Sequence, residues 1–228
     1  MIKPNGVHHI AFMTADMKMQ IEFFTDVLGC RLVGLFDMHG VPGGLHGFLH
    51  LADDCLFSLV QLPAVKDVPI QLGVTHAGSG SGSSAPGTMQ HLALKVSNRE
   101  QLLAIRDRIR KKGVNVFGPI NHGMCQSIYF AGPERMALEV AFSDEALDPK
   151  VWVDPTVLAK LDINDDEAAR YMAPDDYSGE GGTVPQPVID PPKPPLAMPE
   201  AAYKTVMGLP DDVIWEKASY AEPPVKAA

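Results

Sequence analysis

Two stretches of the chain share one alternation of polar and apolar positions. Val7-His8-His9-Ile10-Ala11-Phe12 and Met89-Gln90-His91-Leu92-Ala93-Leu94 stand in register at an offset of 82 residues, His9 on His91, with an apolar–Ala–apolar run after each histidine. Seven residues beyond each histidine comes a short polar residue, Asp16 or Asn98, of the type that accepts a backbone N–H at a helix N-terminus. The period then lengthens from that of a strand to that of a helix. Ile21, Phe24, Val27 and Leu28 recur in the first copy, and Leu102, Ile105 and Ile109 in the second. Gly29 and Gly113 follow, suited to a left-handed C-terminal cap. Strand-like runs, Phe48–Leu62 and Ser127–Phe142, close each copy. Self-similarity of this kind marks a duplicated unit. The pattern predicts an α+β fold of two tandem βαβββ modules, residues 1–63 and 89–143.

The intervening residues 64–88 carry Gly78-Ser79-Gly80-Ser81-Gly82-Ser83-Ser84 at their centre, the composition of a flexible linker. Beyond 143 the periodicity ends. Thirteen of the 20 prolines fall in residues 144–228, where one helix is predicted from Asp154-Pro155 through Val157, Leu158 and Leu161 toward Tyr171. The rest reads as an extended C-terminal arm. Trp152, Tyr171, Tyr177, Tyr203, Trp215 and Tyr220 recur along it as anchors, so an ordered arm is expected, laid on its own modules or clasping a second copy in a homodimer.

Charge sharpens the division. Residues 1–143 hold 12 basic and 11 acidic side chains, whereas 144–228 hold 7 and 17, and the whole chain is at −9. That balance argues against an electrostatic hold on nucleic acid or an anionic membrane surface. No apolar run reaches the roughly 18 residues of a membrane span, and the opening Met-Ile-Lys-Pro has no signal-peptide apolar region. Cys30, Cys55 and Cys125 are odd in number and have no close pair, which predicts free thiols and a cytoplasmic location.

Among the eight histidines, His9 and His91 stand out because both occupy one position of the duplicated unit. Core repacking has no need of the same polar residue on both first strands, whereas two strands can aim both imidazoles at one point. Glu139 lies within the apolar run Met136-Ala137-Leu138-Glu139-Val140-Ala141-Phe142. A buried carboxylate needs a cation, and no partner Lys or Arg is obvious within that run. His9, His91 and Glu139 thus compose a candidate two-histidine, one-carboxylate metal site with open positions, the set suited to non-haem Fe(II). Two core histidines and a surface-leaning glutamate are the plainer alternative. His8 is expected on the opposite strand face.

With these residues in place, the chain resembles the vicinal oxygen chelate superfamily, whose members include glyoxalase I, epimerases, antibiotic-resistance proteins and extradiol ring-cleaving dioxygenases. The resemblance covers residues 5–143 and implies that the two modules form a metal-holding cup. A narrower stretch, His122, Ile128-Tyr129, Pro133 and Glu139, resembles the extradiol dioxygenase signature in order and spacing. It departs from that signature at Gly132, where Asp, Glu, Asn, Thr or Ala is usual, and at Arg135, where Gly or Pro is usual. His76, 15 residues ahead of His91, falls where that family places an acid–base histidine; a solvated loop histidine is the alternative.

The resemblance implies an Fe(II)-dependent extradiol dioxygenase acting on a small aromatic diol with O2. His76 or His122 would be general base, the other would donate a proton, and Tyr129 would hold the substrate oxygen. A glyoxalase- or epimerase-like enzyme using another divalent metal is the rival. It would need a fourth ligand near Ser58 or Leu59, for which only Gln61 or His50 is at hand. A metal-free small-molecule binding protein is the third reading.

Overall fold

Both module helices begin where a side-chain oxygen meets the first free N–H groups. The computed structural model describes residues 2–179, 181–188 and 199–225. In it Asp16 accepts from the Met19 N–H and Asn98 from the Gln101 N–H. Strand β1 (His9–Met13) leads into α1 (Met17–Glu22), which continues through one π-helical turn at Phe23–Val27. Thr25 Oγ1 in that turn donates back to the Ile21 carbonyl at 2.7 Å, the local competition that loosens a helix. Strands β2 (Arg31–Asp37), β3 (Leu45–Ala52) and β4 (Cys55–Gln61) complete the first module. The second module repeats this with β5 (Leu92–Lys95), α2 (Arg99–Lys111), β6 (Val116–Asn121), β7 (Gln126–Ala131) and β8 (Ala137–Phe142). Gly29 and Gly113 end the helices at φ +83 and +82, a conformation other residues adopt only with strain.

Each module is a four-stranded mixed sheet, ordered β1-β4-β3-β2 and β5-β8-β7-β6. The parallel pairs β1/β4 and β5/β8 need a crossover, which α1 and α2 supply. Register assigns the faces. Ala11 stands beside Ser58, and Ser58 beside Phe48; in the second module Ala93 stands beside Glu139, and Glu139 beside Tyr129. The opposite faces carry Phe57, Leu59 and Leu49, then Leu138, Val140 and Ile128, all buried. These join Phe24, Leu102 and Ile109 in one apolar cluster that spans both modules. Polar ties reinforce the junction. Arg108 Nε donates to the Val27 carbonyl at 2.8 Å, and Lys112 pairs with Asp26.

The departure from the dioxygenase signature at Arg135 has a local consequence. Glu134 and Arg135 both adopt positive φ, 50 and 63, so Arg135 stands in a conformation that favours glycine. The Glu134 carboxylate offsets the strain by accepting from the Ala15 N–H and from Gln20 Nε2, each at 2.7 Å. The turn before β8 is thereby tied to the start of α1.

The stretch after 143 differs from expectation. Instead of an extended arm with one helix, its described residues form α3 (Pro149–Trp152), α4 (Pro155–Lys160), α5 (Asp165–Met172), α6 (Glu200–Met207) and α7 (Asp211–Ala218). Asp148, Asp154 and Asn164 cap the first three. The helix expected to run from 155 toward 171 breaks at Asp162, which adopts φ 55. Residues 4–174 make one compact unit; residues 2–3 with the described residues from 175 onward make another, in which the Ile2 N–H donates to the Tyr177 carbonyl at 2.6 Å. Glu180, residues 189–198 and residues 226–228 of the expected arm lie outside the described residues. In the larger unit the Trp152 ring rests on the β6–β7 turn, where a Cβ added at Gly123 would lie 3.0 Å from it. Among the described residues no helix is long and apolar enough to cross a membrane.

Candidate metal centre

Glu139 is 4% exposed, and His91 is its ion-pair partner among the described residues, Nε2 to Oε2 at 2.9 Å. The other ring nitrogen settles what this contact requires. Gln90 Nε2 donates to the carbonyls of Ser79, Gly80 and Gly82 at 3.2, 2.7 and 3.3 Å, which turns its amide oxygen toward His91 Nδ1. Nδ1 therefore carries the hydrogen of a neutral ring, and Nε2 presents a lone pair to a carboxylate. Two such atoms stay together only with a cation between them. A proton satisfies this by making the imidazolium; a divalent ion satisfies it by taking both atoms as ligands. An imidazole nitrogen and a carboxylate oxygen 2.9 Å apart are donor types that a divalent ion takes, so the pair fits as two of its ligands.

His9 does not join that pair within the chain. Its ring lies 6.2 Å from that of Phe48, and its Nδ1 is 2.9 Å from His8 Nδ1. Among the described residues no three His, Cys, Asp or Glu side chains gather as a metal ion would need. The expectation that His8 faces away from His9 also fails, because β1 begins only at His9 and strand alternation does not extend back to His8.

Ser58 occupies the first-module position that Glu139 holds in the second, since both stand beside an Ala two residues after the repeated histidine. It is fully buried, with His46 Nε2 at 2.7 Å from its Oγ. Burial, and then the charge of nearby His9, lower the His46 pKa.

Of the remaining expected site residues, Tyr129 and His122 come together in the second module. Tyr129 lies opposite Glu139 in register, its ring 6.4 Å from that of His91, and its hydroxyl is 2.9 Å from His122 Nε2. Burial, and then the Glu139 charge, raise the Tyr129 pKa. Tyr129 and His122 line a cavity of about 590 Å³ whose walls include Leu72, Gly80, Phe117 and Ile120. His76 lies apart from them, with His91 and Gln90 on a cavity of about 210 Å³ that reaches the first sheet at Ala11, Phe12 and Met13. Its Nδ1 is 3.0 Å from Thr75 Oγ1.

Sequence reasoning missed Gln90 and the His46–Ser58 pair. Gln90 precedes β5, which begins at Leu92, so an alternation argument cannot place it. His46 was detectable only through the register of β3 on β4.

Residues 6–146 match the Glyoxalase/Bleomycin resistance protein/Dioxygenase superfamily. Solved structures similar to the chain include a glyoxylase/bleomycin resistance protein/dioxygenase domain from Frankia sp. EAN1pec, at 13% identity and TM-score 0.48 over 62% of this chain and 99% of that one. An antibiotic binding protein from Streptomyces sp. CB03234 matches at 18% identity and TM-score 0.45, over 63% of this chain and 100% of that one. The fosfomycin resistance protein FosX from Mesorhizobium loti matches at 18% and 0.43, over 65% and 98%. No curated protein matches the chain.

Proposed function

The chain belongs to the Glyoxalase/Bleomycin resistance protein/Dioxygenase superfamily, and on that premise we propose that it is a non-haem Fe(II)-dependent extradiol dioxygenase that opens a catecholic ring with O2. The observation that carries the reading is the set His91, Glu139, Tyr129 and His122, joined by contacts of 2.9 Å at either end, with Tyr129 and His122 lining an apolar cavity. Fe(II) held there would supply adjacent open positions for two substrate oxygens and O2. His91 and Glu139 are ligands from one chain. His9, held beside His8 and Phe48 in its own chain, is the third, contributed by a second copy in a homodimer. A twofold arrangement supplies the exchange twice.

The protein groups do the proton work. Tyr129 stays a neutral donor, its hydroxyl shared with His122, and steadies the oxygen that acquires charge. His122 takes a proton from the incoming diol, and His76 on the facing loop returns one. Leu72, Phe117 and Ile120 hold the ring and exclude water. The four-ligand lyase or epimerase reading is disfavoured because Ser58 stands at the position of the fourth donor, already engaged by His46.

Anaerobic protein loaded with Fe(II) and offered catechols of one to three rings tests this. Bound catecholate absorbance, then O2 uptake and a yellow ring-opened product in air, are expected. Neither signal, with turnover of a thiohemiacetal or an acyl thioester, would move the reading to a lyase or epimerase; binding without turnover would move it to a binding protein.

A further inference from the structure

The loop between the modules is gripped by the side chain that also orients His91. The Gln90 amide shares its two N–H hydrogens among three carbonyls, those of Ser79, Gly80 and Gly82, while its oxygen meets His91 Nδ1. The gripped segment is a wall of the larger cavity: Gly78, Ser79, Gly80 and Ser81 border it together with Tyr129 and His122. A Cβ added at Gly80 would lie 3.7 Å from the Tyr129 ring. His76 precedes that wall on the same loop and borders the smaller cavity beside His91.

We propose that Gln90 is a positioning residue that couples metal occupancy at His91 and Glu139 to the ordering of the 79–82 loop. The inference rests on the metal reading above. A cation on Nε2 draws electron density from the ring and makes Nδ1–H a stronger donor, as outer-shell partners of metal-bound histidines exploit. The accepting amide is polarised in turn, so its own N–H groups bind the loop carbonyls more firmly. Coupling of this kind is reciprocal: an ordered loop holds the Gln90 oxygen in place and thereby favours the metal. The cavity wall is thus set when the metal is in, before substrate arrives.

Co(II) titration and hydrogen exchange of the 77–88 segment, with and without Co(II), test this in the wild type, Gln90→Leu and Gln90→Glu. In the wild type, Co(II) binding is expected to slow exchange of the segment. Gln90→Leu loses both halves of the link, so Co(II) affinity falls roughly 10- to 100-fold and the segment exchanges faster in either state. Gln90→Glu keeps an acceptor for Nδ1 but has no donors; it should bind Co(II) at least as tightly as the wild type, while its loop exchanges faster and no longer responds to the metal. Co(II) uptake by the wild type with no change in loop exchange would overturn the coupling, as would a Gln90→Glu loop that still responds. No Co(II) uptake by the wild type would sink the metal reading and the coupling together. Unchanged loop exchange in metal-free Gln90→Leu would overturn the tether itself.

Discussion

A histidine between two acceptors is the smallest unit that carries chemistry here. His91 answers to the Gln90 oxygen on one side and to Glu139 on the other, and removing the carboxylate leaves nothing to hold a cation at Nε2. Glu139→Ala is therefore expected to lose stoichiometric iron while keeping its circular dichroism spectrum; full iron occupancy in that variant would refute the ligand assignment. Tyr129→Phe removes the hydroxyl that meets His122. The expected cost is a roughly 10- to 100-fold fall in kcat for ring opening, with KM little changed, because a hydrogen bond to a charged group is worth about 1.5–3 kcal/mol. Cys30 gives a readout independent of catalysis. Burial pushes its thiol up to about 11, against the opposing pull of Arg108. A raised pKa favours the neutral thiol in the folded state, so the contribution is complete below the unfolded thiol value and is lost as pH rises toward 11. Stability measured by urea unfolding should decline across that window, and Cys30→Ala should flatten the decline.

At the scale of elements, the local signals read well from sequence and the tertiary ones did not. Asp16, Asn98, Gly29 and Gly113 mark helix ends because each acts within a few residues of itself. Asn98→Ala should lower unfolding stability by about 1 kcal/mol. Glu134→Ala is expected to cost more, roughly 1–3 kcal/mol, since it strips Gln20 Nε2 of its carboxylate. Gln20 is fully buried, and its Oε1 has no hydrogen-bond partner among the described residues. Urea midpoints of the two variants compare these directly. The Glu134 clamp joins residues more than a hundred positions apart and has no periodicity to betray it. Among the helices after 143, α4 is announced by Asp154-Pro155 and the apolar positions behind them, whereas α3 runs for only 4 residues, too short to display an apolar stripe.

At the scale of the whole molecule, the repeat conveyed which residues are equivalent but not how equivalent residues meet. His9 and His91 share a position in the unit, yet the common core joins the modules while His9 stays with His8 and Phe48. If His9 completes the metal site of a second copy, two inactive variants can rescue one another. Co-expressed His9→Ala and Glu139→Ala chains form mixed dimers with one intact site out of two, so activity should return to about a quarter of wild type when half the dimers are mixed. No recovery, with mixed dimers shown to be present, would place the third ligand elsewhere.

Trp152 lies nine residues beyond the last residue of the repeat at 143, yet its indole rests on the turn beside His122. What was duplicated and what can be transplanted are therefore different lengths of chain. A gene fragment ending at Ser143 encodes both copies of the ancestral unit and all eight strands described here, but leaves that turn bare. One ending at Pro174 retains the indole and the whole of the larger compact unit. The longer fragment should melt higher, and a chimera that borrows this face should take its downstream breakpoint from the tryptophan, not from the repeat.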